Sequence, residues 1–514
     1  MIEVLSPDGK RWAGSAPAGT PVLAGSEVSE LRDEVRYSGR WADIADSVSG
    51  ATKGTYKLVI SLIRAPWLEH LRVNVFDMLT LTVVALLFMT ELFLLLMRLP
   101  PLLEKLRGRT KELDSLSSSN LFRPMGFFLC FATDMSISFV PLRMAELVPA
   151  DAASRDMLLG LPISAELAMT GLCAFVAGTW MKRSGARLPL VAGFLLIAIG
   201  MLCCNLAVAP WQYIVARGMC GAGYGLCILT MQACTVRESK IADMFAGVYA
   251  GSLCGCAVGA MAAERLGFAP VFLFAVVVAV LLAFVPPLFL TNRPLDQRTG
   301  GGAAAPRMTL RELFGAVGER RFILFCLLAL MPTAMLAVAF LNYFMPLYLD
   351  GAHVAQSDIG RVYMLNCLVI IWSSPLFAKF TSATSVKKLP AALAILLCAA
   401  ALYPLGLFPS VIAAVVAAVM LGLSMGLCIP ALTEYLMGLN IVKVLGVDQS
   451  MSLFDAMQRF AQVIAPLAAG AALAVMSVPQ ISWVVGTAYV AAAVLFFITS
   501  RSAKSKASAE SDNA

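Results

Sequence analysis

The stretch Trp211 to Val236, WQYIVARGMCGAGYGLCILTMQACTV, decides how the rest of this chain is read, because an arginine stands inside an otherwise apolar run. Leaving a guanidinium in hydrocarbon costs about 2.5 to 3.5 kcal/mol or more, so Arg217 has to face a bundle interior or a watery path. Arg217, Gly221 and Gly225 recur every four residues, which places the charge on a face whose glycines admit a neighbouring helix closely. Part of the stretch returns downstream, Gly225-Leu226-Cys227-Ile228 as Gly426-Leu427-Cys428-Ile429. The repeat points to a duplicated helical bundle.

Composition agrees. The 514 residues are 59% hydrophobic and 14% charged, with a mean hydropathy of +0.81, against about 25% charged in soluble domains. This is an all-α polytopic membrane protein embedded in the lipid bilayer. The net charge of +7 is no nucleic-acid footprint, since the lysines and arginines gather in short loops between apolar runs. The 13 cysteines lie within or beside such runs without a CxxC framework, as small core or lipid-facing residues do. With His70 and His353 the only histidines, neither an HExxH site nor a histidine metal site is expected. No GxxxxGK phosphate loop occurs. Neither cofactor nor metal is expected, and no nucleophile–base pair appears at membrane depth, which argues against an enzyme.

Residues 1–72 differ from the rest, being polar with acids and bases nearly balanced. IEVLSPDGKRWAGSA reads as strand, Pro-Asp-Gly turn, strand. The hairpin resembles part of a Cache-type extracytoplasmic sensor domain, so a small extramembrane α/β segment is expected here; a poorly ordered tail is the alternative. Residues 73–97 form a leading transmembrane helix, whose run Val75 to Met97 is about 34 Å long. Arg98, Lys105, Arg107, Arg109 and Lys111 follow it closely, which puts its C-terminal end and the linker 98–123 in the cytoplasm and Met1 outside. Such an external segment with no export signal ahead of it leads us to expect a further helix upstream.

Twelve more apolar runs follow in two sets of six, 124–290 and 322–499. Between them lies a cytoplasmic linker, 291–321, with a Gly/Ala-rich part and a surface helix; residues 500–514 form a cytoplasmic tail. Basic loops at Lys182, Arg183 and Arg187, at Arg237 and Lys240, and at Lys387 and Lys388 alternate with charge-poor ones, as an inner (plasma) membrane protein with its C-terminus inside requires. The halves echo each other: Phe139-Val-Pro141-Leu142 returns as Phe344-Met-Pro346-Leu347, and Arg187-Leu188-Pro189 as Lys388-Leu389-Pro390.

Two six-helix repeats joined by a cytoplasmic linker resemble the major facilitator superfamily, whose halves are parallel repeats around a site near mid-membrane. Gly178-Thr-Trp-Met-Lys182-Arg183-Ser-Gly185-Ala-Arg187 is similar to its signature loop G-x-x-x-D-R-x-G-R-R, and Arg217-Gly-Met-Cys-Gly221-Ala-Gly223-Tyr-Gly225 to its fourth-helix motif R-x-x-x-G-x-G. Gly247, Gly251, Gly255 and Gly259 recur every four residues, a flat face for close packing. Two departures stand out. Lys182 replaces the signature aspartate, so an inner-gate ion pair of the usual sense cannot form, and Asp455 is the candidate partner. The fifth helix lacks the Gly-Pro pair of many drug–proton antiporters, which weakens the case for efflux over uptake.

Asp134 lies about 15 Å into the first core helix and Arg217 about 9 Å from the opposite side, a difference in depth of about 6 Å. A buried carboxylate beside a movable arginine ionises when paired and takes a proton when the pair opens, the requirement for proton coupling; a fixed brace between two helices is the alternative. Asp455 and Arg459, spaced i, i+4, can pair on one helix, and Arg459, Gln462 and Pro466 are expected to line the cavity. Glu166, Glu264, Arg265 and Glu434 are read as end-of-helix residues within reach of water. Pro141 and Pro346 are expected to bend or break their helices. Together these features imply a monomeric secondary transporter moving a small-molecule solute with protons by alternating access. A signalling protein, or transceptor, built on a transporter-like bundle is the competing reading.

Overall fold

The computed structural model describes residues 2–5, 11–14, 29–31, 34–44, 54–106, 119–149, 152, 155–237, 241–290, 319–408 and 410–500. The chain divides into two compact units, Met1–Val83 and Val84–Ala514.

In the first unit five strands form an antiparallel sheet, β1 Ile2–Leu5, β2 Arg11–Gly14, β3 Ser29–Leu31, β4 Glu34–Ile44 and β5 Gly54–Ile63, in the order β2-β1-β5-β4-β3. The expected hairpin strands pair, with Glu3 opposite Gly14 and Val4 opposite Ala13. The centre of the sheet is β5, where Tyr56, Leu58, Ile60 and Leu62 alternate with Lys57, Val59 and Ser61 in the period of two that a pleated strand requires. An α/β segment was expected. Among the described residues before Arg64 there are strands alone, because the alternation in β4 and β5 favours sheet over helix.

The leading helix, α1, runs from Arg64 to Leu106, further at both ends than its apolar stretch, because backbone hydrogen bonding continues into the polar flanks. It therefore enters the expected 98–123 linker, of which residues 107–118 lie outside the described part. Among the described residues twelve long helices follow: α2 Leu121–Leu147, α3 Arg155–Ser184, α4 Arg187–Leu206, α5 Pro210–Arg237, α6 Ile241–Leu266, α7 Phe268–Phe289, α8 Arg320–Gly351, α9 Gln356–Ala383, α10 Lys388–Leu407, α11 Val411–Met437, α12 Val447–Leu473 and α13 Val478–Thr499, with a short helix at Asn440–Leu445 before α12. Among the described residues, 12 helices are long and apolar enough to cross a membrane. The long helix that falls short is α12, whose Asp455, Gln458, Arg459 and Gln462 lower its apolar content without shortening it. The surface helix expected in 291–321 and the tail 500–514 lie, but for residues 319–321 and 500, outside the described residues.

Both prolines expected to disturb helices do so. Before Pro141, α2 stops at Asp134, passes through a tight turn at Ile137–Phe139 and resumes at Val140. Before Pro332 and Pro346, α8 widens into π-type turns at Cys326–Leu330 and Val338–Phe344. Proline has no N–H to offer the preceding turn, and the altered turn absorbs the missing bond.

Glycines set how closely the helices approach. On α6, Gly247, Gly251, Gly255 and Gly259 rest against the backbone carbonyls of Arg123, Phe127, Phe131 and Met135 on α2, one rung every four residues, so that a Cβ at Gly255 would stand 2.6 Å from the Phe131 oxygen. On α5, Gly221 and Gly225 meet the backbone of Glu166 and Thr170 on α3. The duplicated pair repeats this, with Gly422 and Gly426 of α11 against Asn366 and Ser373 of α9. Between the halves, α3 packs on α12 and α6 on α9, the same pairing with the halves exchanged. This is the internal symmetry that the repeated motifs announce.

Candidate functional site

The break in α2 exposes the chemistry. Asp134 is the last residue of the first segment, and its carboxylate is within 3.2 Å of the Thr133 hydroxyl and within hydrogen-bonding reach of Ser252 on α6. Two residues on, Ser136 is fully buried in the turn and accepts a 2.9 Å hydrogen bond from Nη1 of Arg217. The break thus supplies polar groups in the middle of an apolar bundle, where an unbroken helix would have kept them hydrogen-bonded to itself.

Arg217 is 2% exposed, and its Nη2 forms an ion pair with Glu166 on α3. Nε has no partner among the described residues, and neither has the hydroxyl of Tyr213, one helical turn away and equally buried. The pair sits on the tightest part of the α3–α5 contact: Gly221 meets the Glu166 backbone, and Thr170 donates to the carbonyls of both Glu166 and Gly221, at 2.8 and 3.0 Å. Asp134 stands within electrostatic reach of both Arg217 and Glu166. The expected direct pairing of Arg217 with Asp134 is thereby corrected. The acid bound to the arginine is Glu166, and Asp134 is held by hydroxyls instead. The expectation placed Glu166 near a helix end because the apolar run begins after Pro162; α3 in fact starts at Arg155, which sets Glu166 about 17 Å along the helix.

Across the interface, Arg459 of α12 is half-buried, with its aliphatic stem beside Gly171 of α3. Its charge reaches Tyr224, whose hydroxyl lies 3.8 Å from the Cys130 thiol on α2. Arg459 therefore lies against α3 and within electrostatic reach of Tyr224 on α5. Among the described residues it closes no ion pair with Asp455, the partner expected one turn away. Asp455 is exposed by surface area and stands within electrostatic reach of Arg459 without pairing to it.

The signature loop turns at Gly185, which adopts φ +75° and receives the chain where α3 ends, its N–H bonded to the Met181 carbonyl at 3.0 Å. A residue with a Cβ is disfavoured there. Arg183 is exposed, Arg187 half-buried, and Gly178 has open space around it. The Lys182 side chain, and with it the expected Lys182–Asp455 contact, lies outside the described residues. In the second half Lys387, just before α10, pairs with Glu434 at 2.9 Å.

The polar contacts joining the halves gather toward one end of the bundle. Gln356 donates to Ser138 at 3.2 Å, Glu264 accepts from the Ser357 N–H at 2.7 Å, Tyr343 donates to the Asp156 carbonyl, and Ser164 donates to the Val463 carbonyl at 2.7 Å. Gly360 also touches Ala260, and Gly160 touches Pro466, on this side. At the opposite end Asp455 and Ser452 of α12 are exposed. The bundle is closed at the end where α3 and α9 begin and α6 finishes.

Residues 123–439 match the family model of the Major Facilitator Superfamily. Among curated proteins, the chain is 25% identical over 205 residues to the multidrug resistance protein MdtG of Citrobacter koseri, covering 38% of this chain and 49% of that protein. It is 27% identical over 153 residues to MdtG of Salmonella choleraesuis, covering 28% and 38%. The chain thus spans about half the length, or less, of the curated relatives it matches. Among solved structures, the crystal structure of a D-xylose-proton symporter superposes with a TM-score of 0.60 at 15% identity, covering 75% of this chain and 98% of that one. The inward-open xylose transporter XylE of E. coli gives 0.56 at 15% identity, covering 75% and 96%. At these identities the structural likeness speaks for the fold.

Proposed function

This chain belongs to the major facilitator superfamily, and from that premise we propose that it carries a small organic solute across the bilayer by alternating access, coupled to protons. The observation behind the coupling is the arrangement of two carboxylates, Glu166 and Asp134, around one buried guanidinium. One cation can neutralise one acid at a time. When Arg217 stays with Glu166, Asp134 is left to hydroxyl partners and gains by binding a proton. When Arg217 turns toward Asp134, Glu166 becomes the acid that needs one. Such an exchange converts a side-chain movement into proton uptake and release.

The solute path runs between the halves, past Asp134, Tyr224 and Arg459. Basic loops assign the end bearing Asp455 to the cytoplasm. The closed end with Glu264, Gln356 and Ser138 is then external, and this state is open inward. The protein works as a monomer in the plasma (inner) membrane, with thirteen crossings, the N-terminus outside and the C-terminus inside. The relatives' names, a multidrug resistance protein and a xylose transporter, bracket a wide range of solutes. The five-stranded sheet ahead of α1 keeps a sensing role beside transport as the second reading.

The deciding measurement is solute-dependent proton flux in proteoliposomes under an imposed pH gradient. The reading expects flux that Asp134→Asn abolishes. Solute movement indifferent to the gradient would sink the coupling, and no movement of any solute would favour the sensor.

A further inference from the structure

From Val84 onward the leading helix shows a division of its surface that membrane insertion alone does not demand. Leu86, Met89, Leu92, Phe93 and Met97 are exposed, as lipid-facing residues are, while Val84 and Glu91, seven residues or two turns apart, are buried. Glu91 is 3% exposed, and both its oxygens take hydrogen bonds from Arg123 at the start of α2, at 2.7 and 3.1 Å. The same guanidinium reaches Asp243 at the start of α6 at 2.7 Å. One turn before Glu91, Phe88 packs edge-on against Phe127, Phe128 and Phe131 of α2, with ring centroids 5.4 to 5.9 Å apart.

We propose that Glu91, Arg123 and Asp243 form a docking lock that makes the leading helix a seventh helix of the N-terminal half, carried with it as a rigid body through the transport cycle. A two-pronged carboxylate–guanidinium contact fixes orientation as well as distance. A glutamate facing hydrocarbon without that partner is strongly disfavoured, so α1 has one seat on the bundle rather than many. The seat is well chosen for transmission. Arg123 and Asp243 begin the two helices that the glycine ladder binds together, so displacement of α1 is delivered to α2 and α6 jointly, and through α2 to the break at Asp134. From Val84 onward the helix lies on the outside of the half that carries Arg217.

A specific protease site placed between Leu106 and Ser119 tests the lock in the full chain, cut after purification in mild detergent with an affinity tag at the C-terminus. The lock predicts that the piece containing α1 stays with the core through size exclusion. Glu91→Gln should release it at least tenfold faster while leaving the core monodisperse, since Arg123 keeps Asp243. Phe88→Ala, which spares the ion pairs, should retain it. Should Glu91→Gln fail to fold, Glu91→Asp, with its shorter reach, is read in the same way. Release from the unmutated protein, or equal retention in the Glu91 variant, would overturn the proposal. Neither result depends on the solute or on proton coupling, so the lock and the transport reading can fail separately.

Discussion

Arg217 on α5 is bound to Glu166 on α3 at the point where Gly221 lets the two backbones touch. Charge pair and close approach occupy one place, so neither can be altered without the other. Removing one member of a buried pair leaves an uncompensated charge, a loss of about 3 to 5 kcal/mol, whereas removing both is far milder. Arg217→Gln should therefore lower the thermal midpoint in detergent more than Glu166→Gln, Arg217→Gln together. A double mutant at least as unstable as the single one would show that the pair is not what holds α3 to α5.

Asp134→Asn should leave the fold intact, because Thr133 and Ser252 can hydrogen-bond to an amide, and should abolish solute-dependent proton flux. Glu166→Gln should reduce the flux as well, since the exchange needs two acids. Flux unchanged in both variants would make the cluster a brace between helices.

Much of this was legible in the sequence, and for identifiable reasons. The spacing of Gly247, Gly251, Gly255 and Gly259 is a backbone property, so it announced a flat face for close packing, though not that α2 would fill it. The Phe-x-Pro-Leu repeat marked both disturbed helices because a missing N–H acts locally. What stayed hidden was pairing across helices. Arg123, Glu91 and Asp243 are 32 and 120 residues apart in pairs, and no local pattern links them. Glu166 was misplaced because apolar composition marks where lipid begins, whereas α3 begins two turns earlier.

The glycine ladder gives a graded prediction. Gly251→Ala and Gly259→Ala would drive a Cβ into the carbonyls of Phe127 and Met135. Each should cost about 1 to 3 kcal/mol or more and reduce the yield of folded protein. Gly178→Ala, in open space, should be close to neutral. Thermal midpoints of the three variants, measured side by side, check the order; a neutral Gly259→Ala would mean that Gly259 does not rest on the Met135 carbonyl.

The last prediction concerns Lys182, which stands where the superfamily's signature has an acid. We propose that Lys182 and Asp455 form a gate at the end of the bundle where Asp455 is exposed. The pair would act only after the bundle rocks, holding the cytoplasmic end shut by attraction between α3 and α12. An exposed ion pair contributes only about 0 to 1 kcal/mol. A difference of about 1.4 kcal/mol nevertheless changes the ratio of two states tenfold, so a partly desolvated pair suffices. Lys182→Asp should place two acids together and increase labelling of a cysteine at Ser452 from the cytoplasmic side. Adding Asp455→Lys should restore protection, a non-additive rescue that a double-mutant cycle reads directly. Strictly additive labelling would mean that the two residues never meet and that the inner gate closes on other contacts, for which Arg183 and Arg187 on the same loop are the next candidates.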